Sequence, residues 1–463
     1  MCIPQLFKKV VEYMSIYSLN LSMFKQDFEC KLENKEMYGE VSTDFILVRK
    51  ILDLLPEHLF SNPHLKWLDP CAGKGYFPII LYKRLFKSLQ NKIKAPRKRH
   101  RHIIQNMIYM VELNPCHLMD LYNLFGENAN IINTDFLEMN NMKFDVIIGN
   151  PPFNANGFKK VPTNNKISKK KDGISIWAKF VSNSVENLVI GGYLAMITPS
   201  IWMKRDHHFH NYLLDMGEIK LHCMNNTETN RMFHGEAQTP TVFFAFRKCE
   251  DRGINIYDSC LQTYVDCESI DSLPLFSPNI IKILNKYVKK VGHIKIIKTS
   301  MRPGYKGLSV STELDKKHPY KNIKTCILNK LDPKLVINYS NKPCSFSGVE
   351  KLVLAHKMYG FPYYDKGEYG ISNRDNYVII DTTVELKRIK RFLETDLAFV
   401  AYEAARYRMK YLERYAFEFL PDINLLDGFP DDITNESVND YFKFNGLERM
   451  CIKDTRKKRY CTF

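Results

Sequence analysis

An asparagine followed by two prolines and a phenylalanine, Asn150-Pro151-Pro152-Phe153, stands directly after the apolar run Phe144-Asp145-Val146-Ile147-Ile148-Gly149. Consecutive prolines fix φ and remove backbone donors, so the chain turns rigidly at a strand end. What remains is a pair of acceptors held in one place: the Asn150 amide oxygen and the Pro151 carbonyl. An exocyclic amine carries two hydrogens, and two fixed acceptors can grip it while its lone pair faces an electrophile. Phe153 adds a ring on which a planar base can stack, an interaction of about 1–3 kcal/mol. Taken alone, the tetrapeptide also suits a purely structural turn.

Three further constellations precede it. Asp69-Pro70-Cys71-Ala72-Gly73-Lys74-Gly75 follows a short apolar run and opens a helix pattern. Its glycines allow a ligand to approach the backbone closely, but the third glycine of the dinucleotide fingerprint is missing. An acidic residue ahead of the loop disfavours a pyrophosphate and suits a cation such as S-adenosylmethionine, which has an ammonium and a sulfonium. Glu112 ends the next strand pattern, where a carboxylate can accept from ribose hydroxyls. Asp135-Phe136 ends the third, where a carboxylate can accept from an adenine amine beside a stacking ring. A single carboxylate at a strand end is commonly a cap. Four such features at four successive strand ends point to one pocket.

The elements that must hold them alternate. Short apolar runs at 66–69, 108–112, 130–134, 145–149, 193–198, 219–224 and 241–246 are separated by helical stretches, the rhythm of an α/β domain with a mostly parallel sheet. In open sheets of that kind ligands bind outside the carboxyl ends of the strands. After about Ile254 the rhythm changes. The stretch Glu268–Asn279, rich in Ser, Pro and Asp, reads as a connection. Beyond it lie Gly/Pro/Tyr-rich stretches and a helical pattern from Val384 to about Phe417.

The 463 residues suit two domains, and a 45% apolar share suits cores of ordinary size. No run approaches a membrane span, and the N-terminus lacks a signal-peptide pattern, so a cytoplasmic (or nucleoid, or viral-factory) location is expected. The twelve cysteines show no Cys-x-x-Cys and no Cys/His pairing, so we expect reduced thiols, no disulfide framework and no metal site. A net charge of +16 points to a polyanionic partner. Two basic runs stand out: Lys83–His102, without an acidic residue, and Lys159–Lys171, with six lysines. The first reads equally as a solvated loop; the second, just past the Asn-Pro-Pro-Phe motif, is expected to contact phosphate.

The order Asp69–Gly75, Glu112, Asp135-Phe136, Asn150–Phe153 resembles the amino-methyltransferases of DNA, specifically the gamma-class adenine-N6 enzymes of Type II and IIG restriction–modification systems. Tyr38–Asp44 is similar to the segment that packs on the cofactor's methionine moiety, with Asp44 where the family usually has proline. Gly191–Pro199 resembles the family's fifth strand, and Gln238–Arg247 its last. The resemblance implies a class I S-adenosylmethionine-dependent methyltransferase fold, Rossmann-like, with a seven-stranded mostly parallel sheet and a C-terminal α+β target-recognition domain. The expected division is an N-terminal arm at 1–36, a catalytic domain at 37–255 and a target-recognition, DNA-binding domain at 256–463. It implies catalytic roles for Asn150, Pro151, Pro152 and Phe153. Cofactor contacts would come from Thr43, Asp69, Cys71, Ala72, Gly73, Gly75, Glu112, Asp135 and Phe136.

The expected reaction is methyl transfer from S-adenosylmethionine to N6 of an adenine flipped out of double-stranded DNA. A separate cognate restriction endonuclease is a further expected partner. RNA adenine methylation, protein glutamine methylation and a catalytically idle specificity subunit remain as other readings. In the C-terminal half Arg302, Tyr305, Lys306, Lys357, Tyr359, Tyr363 and Arg374 are candidates for DNA contact, and Asp381 with Glu385-Leu386-Lys387 faintly echoes a nuclease metal motif.

Overall fold

Runs such as Trp67-Leu68-Asp69 and Phe144-Asp145-Val146-Ile147-Ile148-Gly149 are too continuously apolar for a half-exposed strand; they require cover on both faces. A computed structural model gives them that cover. It describes residues 43–139, 142–155, 175–235, 237, 239–356, 360–408 and 411–460. The chain divides into two compact units, the second comprising residues 203–207 and 256–463 and the first the remainder.

The first unit is a mixed α/β sheet. Its strands are β1 (Trp67–Asp69), β2 (Ile108–Val111), β3 (Asn130–Ile132), β4 (Phe144–Gly149), β5 (Leu188–Pro199), β6 (Gly217–Met224) and β7 (Thr241–Lys248). They stand in the order β3-β2-β1-β4-β5-β7-β6. The first five run parallel, and β7 lies antiparallel between β5 and β6. All seven expected strands are present. Two further short strands follow in the chain, β8 (Gly253–Asp258) and β9 (Thr263–Asp266). These two are half-exposed strands with few buried residues, too weakly apolar to stand out in the sequence.

Sequence order reverses between β1 and β4. The chain steps outward from β1 to β2 and β3, then returns to β4 on the other side of β1, leaving a crevice at their carboxyl ends. Helices α1 (Phe45–Leu52), α2 (Tyr76–Ser88), α3 (Pro115–Phe125) and α4 (Trp177–Asn187) belong to this unit. The α1 helix starts where the Asp44 carboxylate accepts from Ile46 N at 2.7 Å, a cap that explains an Asp at this position. Side chains of α1 and α2 share one apolar core with Trp67, Met110, Val146 and Ile148.

The basic run at 83–102 is partly structural. Arg84 bridges Asp53 and Glu57 at 2.6 Å and lies over the Phe60 ring; the buried Arg99 lies over Phe86. The second run, at 159–171, lies outside the described residues, as do Lys357 and Tyr359.

The second unit contains a four-stranded sheet, order β10-β12-β11-β15, and a three-stranded sheet, β14-β13-β16. Their strands are β10 (Val310–Ser311), β11 (Tyr320–Asn329), β12 (Asp332–Ser340), β13 (Lys351–Ala355), β14 (Tyr363–Asp365), β15 (Gly370–Ile371) and β16 (Asn376–Ile379). Ile323, Val353, Ile371 and Val378 meet in one core. The Lys351 ammonium is completely buried; it pairs with Asp365 and donates to the Phe346, Val349 and Tyr369 carbonyls. Contrary to the expectation of reduced thiols, Cys260 and Cys451 form a disulfide. A separation of 191 residues leaves no spacing pattern from which to read it. Asp381 and Glu385 serve a helix start: Asp381 accepts from Thr382 N, and the Thr382 hydroxyl donates to Glu385.

Removing one partner of a buried ion pair leaves the other charge stranded. Lys351→Met should therefore destabilise the second unit by about 3–5 kcal/mol. Adding Asp365→Leu should restore much of that loss, as chemical denaturation of the two variants will measure.

Candidate active site

The turn after β1 is built by hydrogen bonds back to the sheet. The buried Asp69 Oδ1 accepts from Cys71 N at 3.1 Å, Ala72 N donates to Val111 O at 2.9 Å, and Gly75 N to Ala72 O at 2.8 Å. Gly73 (φ +51) and Gly75 (φ +83) occupy left-handed backbone that side chains rarely adopt. Their surroundings differ. A Cβ on Gly75 would meet Leu121 at 3.0 Å and Phe125 at 3.2 Å on α3, whereas one on Gly73 would meet nothing within 4 Å. Gly75 is a packing glycine; Gly73 leaves the backbone open to a ligand.

Glu112 follows β2 and is held from two sides. Its Oε2 accepts from Gly73 N and its Oε1 from Asn114 N, both at 2.7 Å. The loop glycine and the carboxylate thus fix each other, and each oxygen keeps a second lone pair. Asp135 caps the short turn at 136–138 through Oδ1, which accepts from Leu137 N at 2.9 Å. Phe136 packs on Phe180 of α4, ring centroids 5.7 Å apart.

At the end of β4 the motif meets the other elements. The Cys71 thiol donates to the Asn150 carbonyl at 3.2 Å, and the Asn150 amide nitrogen donates to the Thr43 hydroxyl at 2.9 Å. With Nδ2 turned to Thr43, Oδ1 is the opposite arm of the amide. Gly149 permits the approach: a Cβ there would come within 3.0 Å of Asp69 Oδ1. Phe153 stands edge-on to Phe233, centroids 6.3 Å apart.

These groups line one cavity of about 310 Å3. Thr43, Cys71, Ala72, Gly73, Glu112, Asp135, Phe136 and all four residues of Asn150–Phe153 border it. Asp69 and Gly75 do not. Both sit behind the wall, Asp69 as the turn's internal acceptor and Gly75 against α3. Asp69, expected as a direct or water-mediated partner of a cationic ligand, uses Oδ1 to accept from Cys71 N within the turn. The cavity also has lining that motif reading missed, including Leu113, His117, Thr134, Leu137 and Phe180. Leu113 had a signal: an apolar residue directly after the strand-end acid, half exposed. Phe180 had none, since an aromatic on a helix reads as core.

The electrostatics are unusual for a polar loop. Burial first, and the nearby Glu112 charge second, push the Asp69 carboxyl up to about 8, against the opposing Cys71 N–H. Burial and the same two carboxylates push the Cys71 thiol well up, so it stays a hydrogen-bond donor and is no nucleophile. Among the described residues no cluster of His, Cys, Asp or Glu is arranged to hold a metal, and no helix is long and apolar enough to cross a membrane.

Residues 16–232 match the family described as Eco57I restriction-modification methylase. A Mycoplasma pneumoniae protein, described as an uncharacterized adenine-specific methylase, is 26% identical over 248 residues, covering 37% of this chain and 56% of that protein. The chain thus spans little more than half the length of the curated relative it matches. A nuclease-deletion mutant of the Type ISP restriction–modification enzyme LlaGI, solved with a DNA substrate mimic, aligns over 90% of this chain and 46% of its own at 12% identity, TM-score 0.48. A Listeria monocytogenes protein described as a candidate class I S-adenosylmethionine-dependent methyltransferase aligns over 53% of this chain and 73% of its own, at 14% identity and TM-score 0.35. The resemblance drawn from the motifs is borne out: the family model spans all four of them.

The raised Asp69 value has a stability consequence. Between pH 4 and 8 the folded chain keeps a proton that the unfolded chain, at the ordinary 3.8, has released. Stability from this group is therefore complete below pH 4, declines as pH rises to about 8, and is level above it. Asp69→Asn keeps the acceptor for Cys71 N and cannot ionise. Its melting temperature relative to wild type should climb from pH 5 to pH 8 and then plateau; a constant difference would contradict the burial account.

Proposed function

We propose that this chain is a site-specific DNA methyltransferase that transfers a methyl group from S-adenosylmethionine to N6 of an adenine flipped out of duplex DNA. The carrying observation is that Asn150–Phe153 border the same cavity as Thr43, Gly73, Glu112, Asp135 and Phe136.

The cavity suits the cofactor by its donor and acceptor set. Gly73 leaves the backbone approachable, Glu112 is an anchored carboxylate within reach of hydroxyls, and Asp135 offers an acceptor beside the Phe136 wall. When bound, S-adenosylmethionine supplies an electrophilic methyl on a sulfonium. The chain's own residues do the rest. Asn150 Oδ1 and the Pro151 carbonyl hold the two amine hydrogens, which turns the lone pair outward and draws the nitrogen toward tetrahedral geometry. Phe153 stacks on the extracted ring. Proline rigidity keeps the acceptors in place before the substrate arrives, so catalysis rests on positioning and fixed dipoles. No covalent intermediate is required. Extraction of the base costs a few kcal/mol, which contacts to the rest of the duplex must offset. The net charge of +16 favours such contacts.

Duplex DNA is favoured over RNA by the second unit, over 200 residues carrying its own sheets and core. In this reading it is the target-recognition domain, and the first unit the catalytic domain. Cytoplasmic residence and a separate cognate endonuclease complete the proposed setting.

Incubation of the protein with labelled S-adenosylmethionine and either genomic DNA or structured RNA tests the reading. Label should appear as N6-methyladenine in DNA; label confined to RNA would overturn it. Asn150→Ala should lower turnover about a hundredfold or more while calorimetry shows nearly unchanged cofactor affinity. Asp135→Ala should do the reverse, weakening cofactor binding while DNA binding persists.

A further inference from the structure

In the second unit the end of β13 and the start of β16 lie side by side, and His356 N donates to the Asp375 carbonyl at 2.9 Å. On the other side of β16 an extended segment runs antiparallel. Ile297 and Val378 exchange both backbone bonds, and farther along Arg374 N donates to Met301 O at 2.9 Å. That register sets Lys298 directly opposite Tyr377, and its ammonium rests over the ring, 4.6 Å from the centroid. Arg374, a candidate from the sequence, is exposed just ahead of β16.

Cations collect here beyond what the fold pairs. Lys204, in the 203–207 segment of this unit, feels the charges of Arg408 and Arg414, and Lys298 those of Arg374 and Arg408. The carboxylates among them are Asp206, Asp375 and the buried Glu413. Two of the arginines are neutralised: Arg408 Nε meets Glu413 Oε1 at 3.1 Å, and Arg414 pairs with Asp206. Among the described residues Lys204, Lys298 and Arg374 have no carboxylate within ion-pair distance. Desolvation first and the Arg408 charge second lower the Lys204 ammonium from its ordinary value. Like charges gathered this way oppose the compact state. The Tyr377 ring orients Lys298 but does not neutralise it.

An anion from outside would relieve the excess. A single small anion calls for groups that converge around it, whereas these three cations stand on separate segments, Lys298 and Arg374 exposed and Lys204 half-buried. Such a spread suits an extended polyanion, and each strand of a duplex carries a charge about every 3.4 Å. We propose that Lys204, Lys298 and Arg374 form a contact surface for the phosphate backbone of duplex DNA. Contacts of this kind position the duplex and carry no sequence information. The inference rests on the DNA-methyltransferase reading above and deepens it by naming where the second unit meets the sugar–phosphate chain.

The test uses the full chain. Duplex binding is measured by fluorescence anisotropy over a series of KCl concentrations. The proteins are wild type, Lys204→Ala, Lys298→Ala, Arg374→Ala, the triple variant and Lys316→Ala, an exposed cation in the turn before β11. Each of the three single substitutions should lower the slope of log K against log salt by about 1, and the triple variant by about 3. Lys316→Ala should leave it unchanged. The rise in melting temperature with S-adenosylmethionine should persist in every variant. Methylated adenines, mapped by sequencing, should keep their motif while the rate at low enzyme falls. Unchanged slopes, an equal loss in Lys316→Ala, or an altered motif would each overturn the proposal. So would a slope loss on structured RNA without one on duplex DNA, which assigns the surface to RNA. If the slopes fall as expected but wild type makes no N6-methyladenine, the surface stands and the enzymatic reading fails.

Discussion

Two hydrogen bonds tie three separate stretches of chain together at the point where strand order reverses. The Cys71 thiol holds the Asn150 carbonyl, and the Asn150 amide holds the Thr43 hydroxyl. Everything proposed for the first unit depends on this junction, because it ties the turn that opens the Asn-Pro-Pro-Phe motif to the loop after β1 and to Thr43. The sheet makes the junction available by leaving a crevice between the ends of β1 and β4. Gly149 lets the two turns approach, since a side chain there would press on Asp69 and Pro70. The double proline then prevents the turn from relaxing.

Around that junction the loop after β1 is organised by acids that do different work. Glu112 stays anchored at the cavity surface by two backbone N–H groups. Asp69 is withdrawn from water and, with a value near 8, is largely neutral at pH 7. One carboxylate is thus available to a ligand while the other props the turn that shapes the ligand's seat. Had both been ionised in so small a space, their repulsion would have opposed the fold.

How much of this was legible in the sequence follows from the range of each interaction. Strand runs and their polar ends are local patterns, so all seven strands of the first unit and the motifs at their ends were readable. So was the convergence of Glu112, Asp135 and Asn150, because parallel topology forces successive strand ends onto one side. The roles of Asp69 and Gly75 were not, since a residue at a strand end can face the cavity or the wall behind it, and only neighbouring side chains decide. Thr43 was expected against the cofactor; its grip on Asn150, more than a hundred residues away, has no sequence signature. Strands β8 and β9 were hidden by their sparse burial, and Arg84 and Arg99 were masked by a run of like charges whose partners lie elsewhere.

The bond between Cys260 and Cys451 places the α-carbons of those two residues 6.1 Å apart. Almost the entire second unit is strung between them, so the polypeptide enters and leaves it at practically the same spot. A module whose ends meet can be lifted out as a cassette and set into a surface loop of another protein without stretching either host. Exchange of the intervening segment between related chains is then mechanically simple.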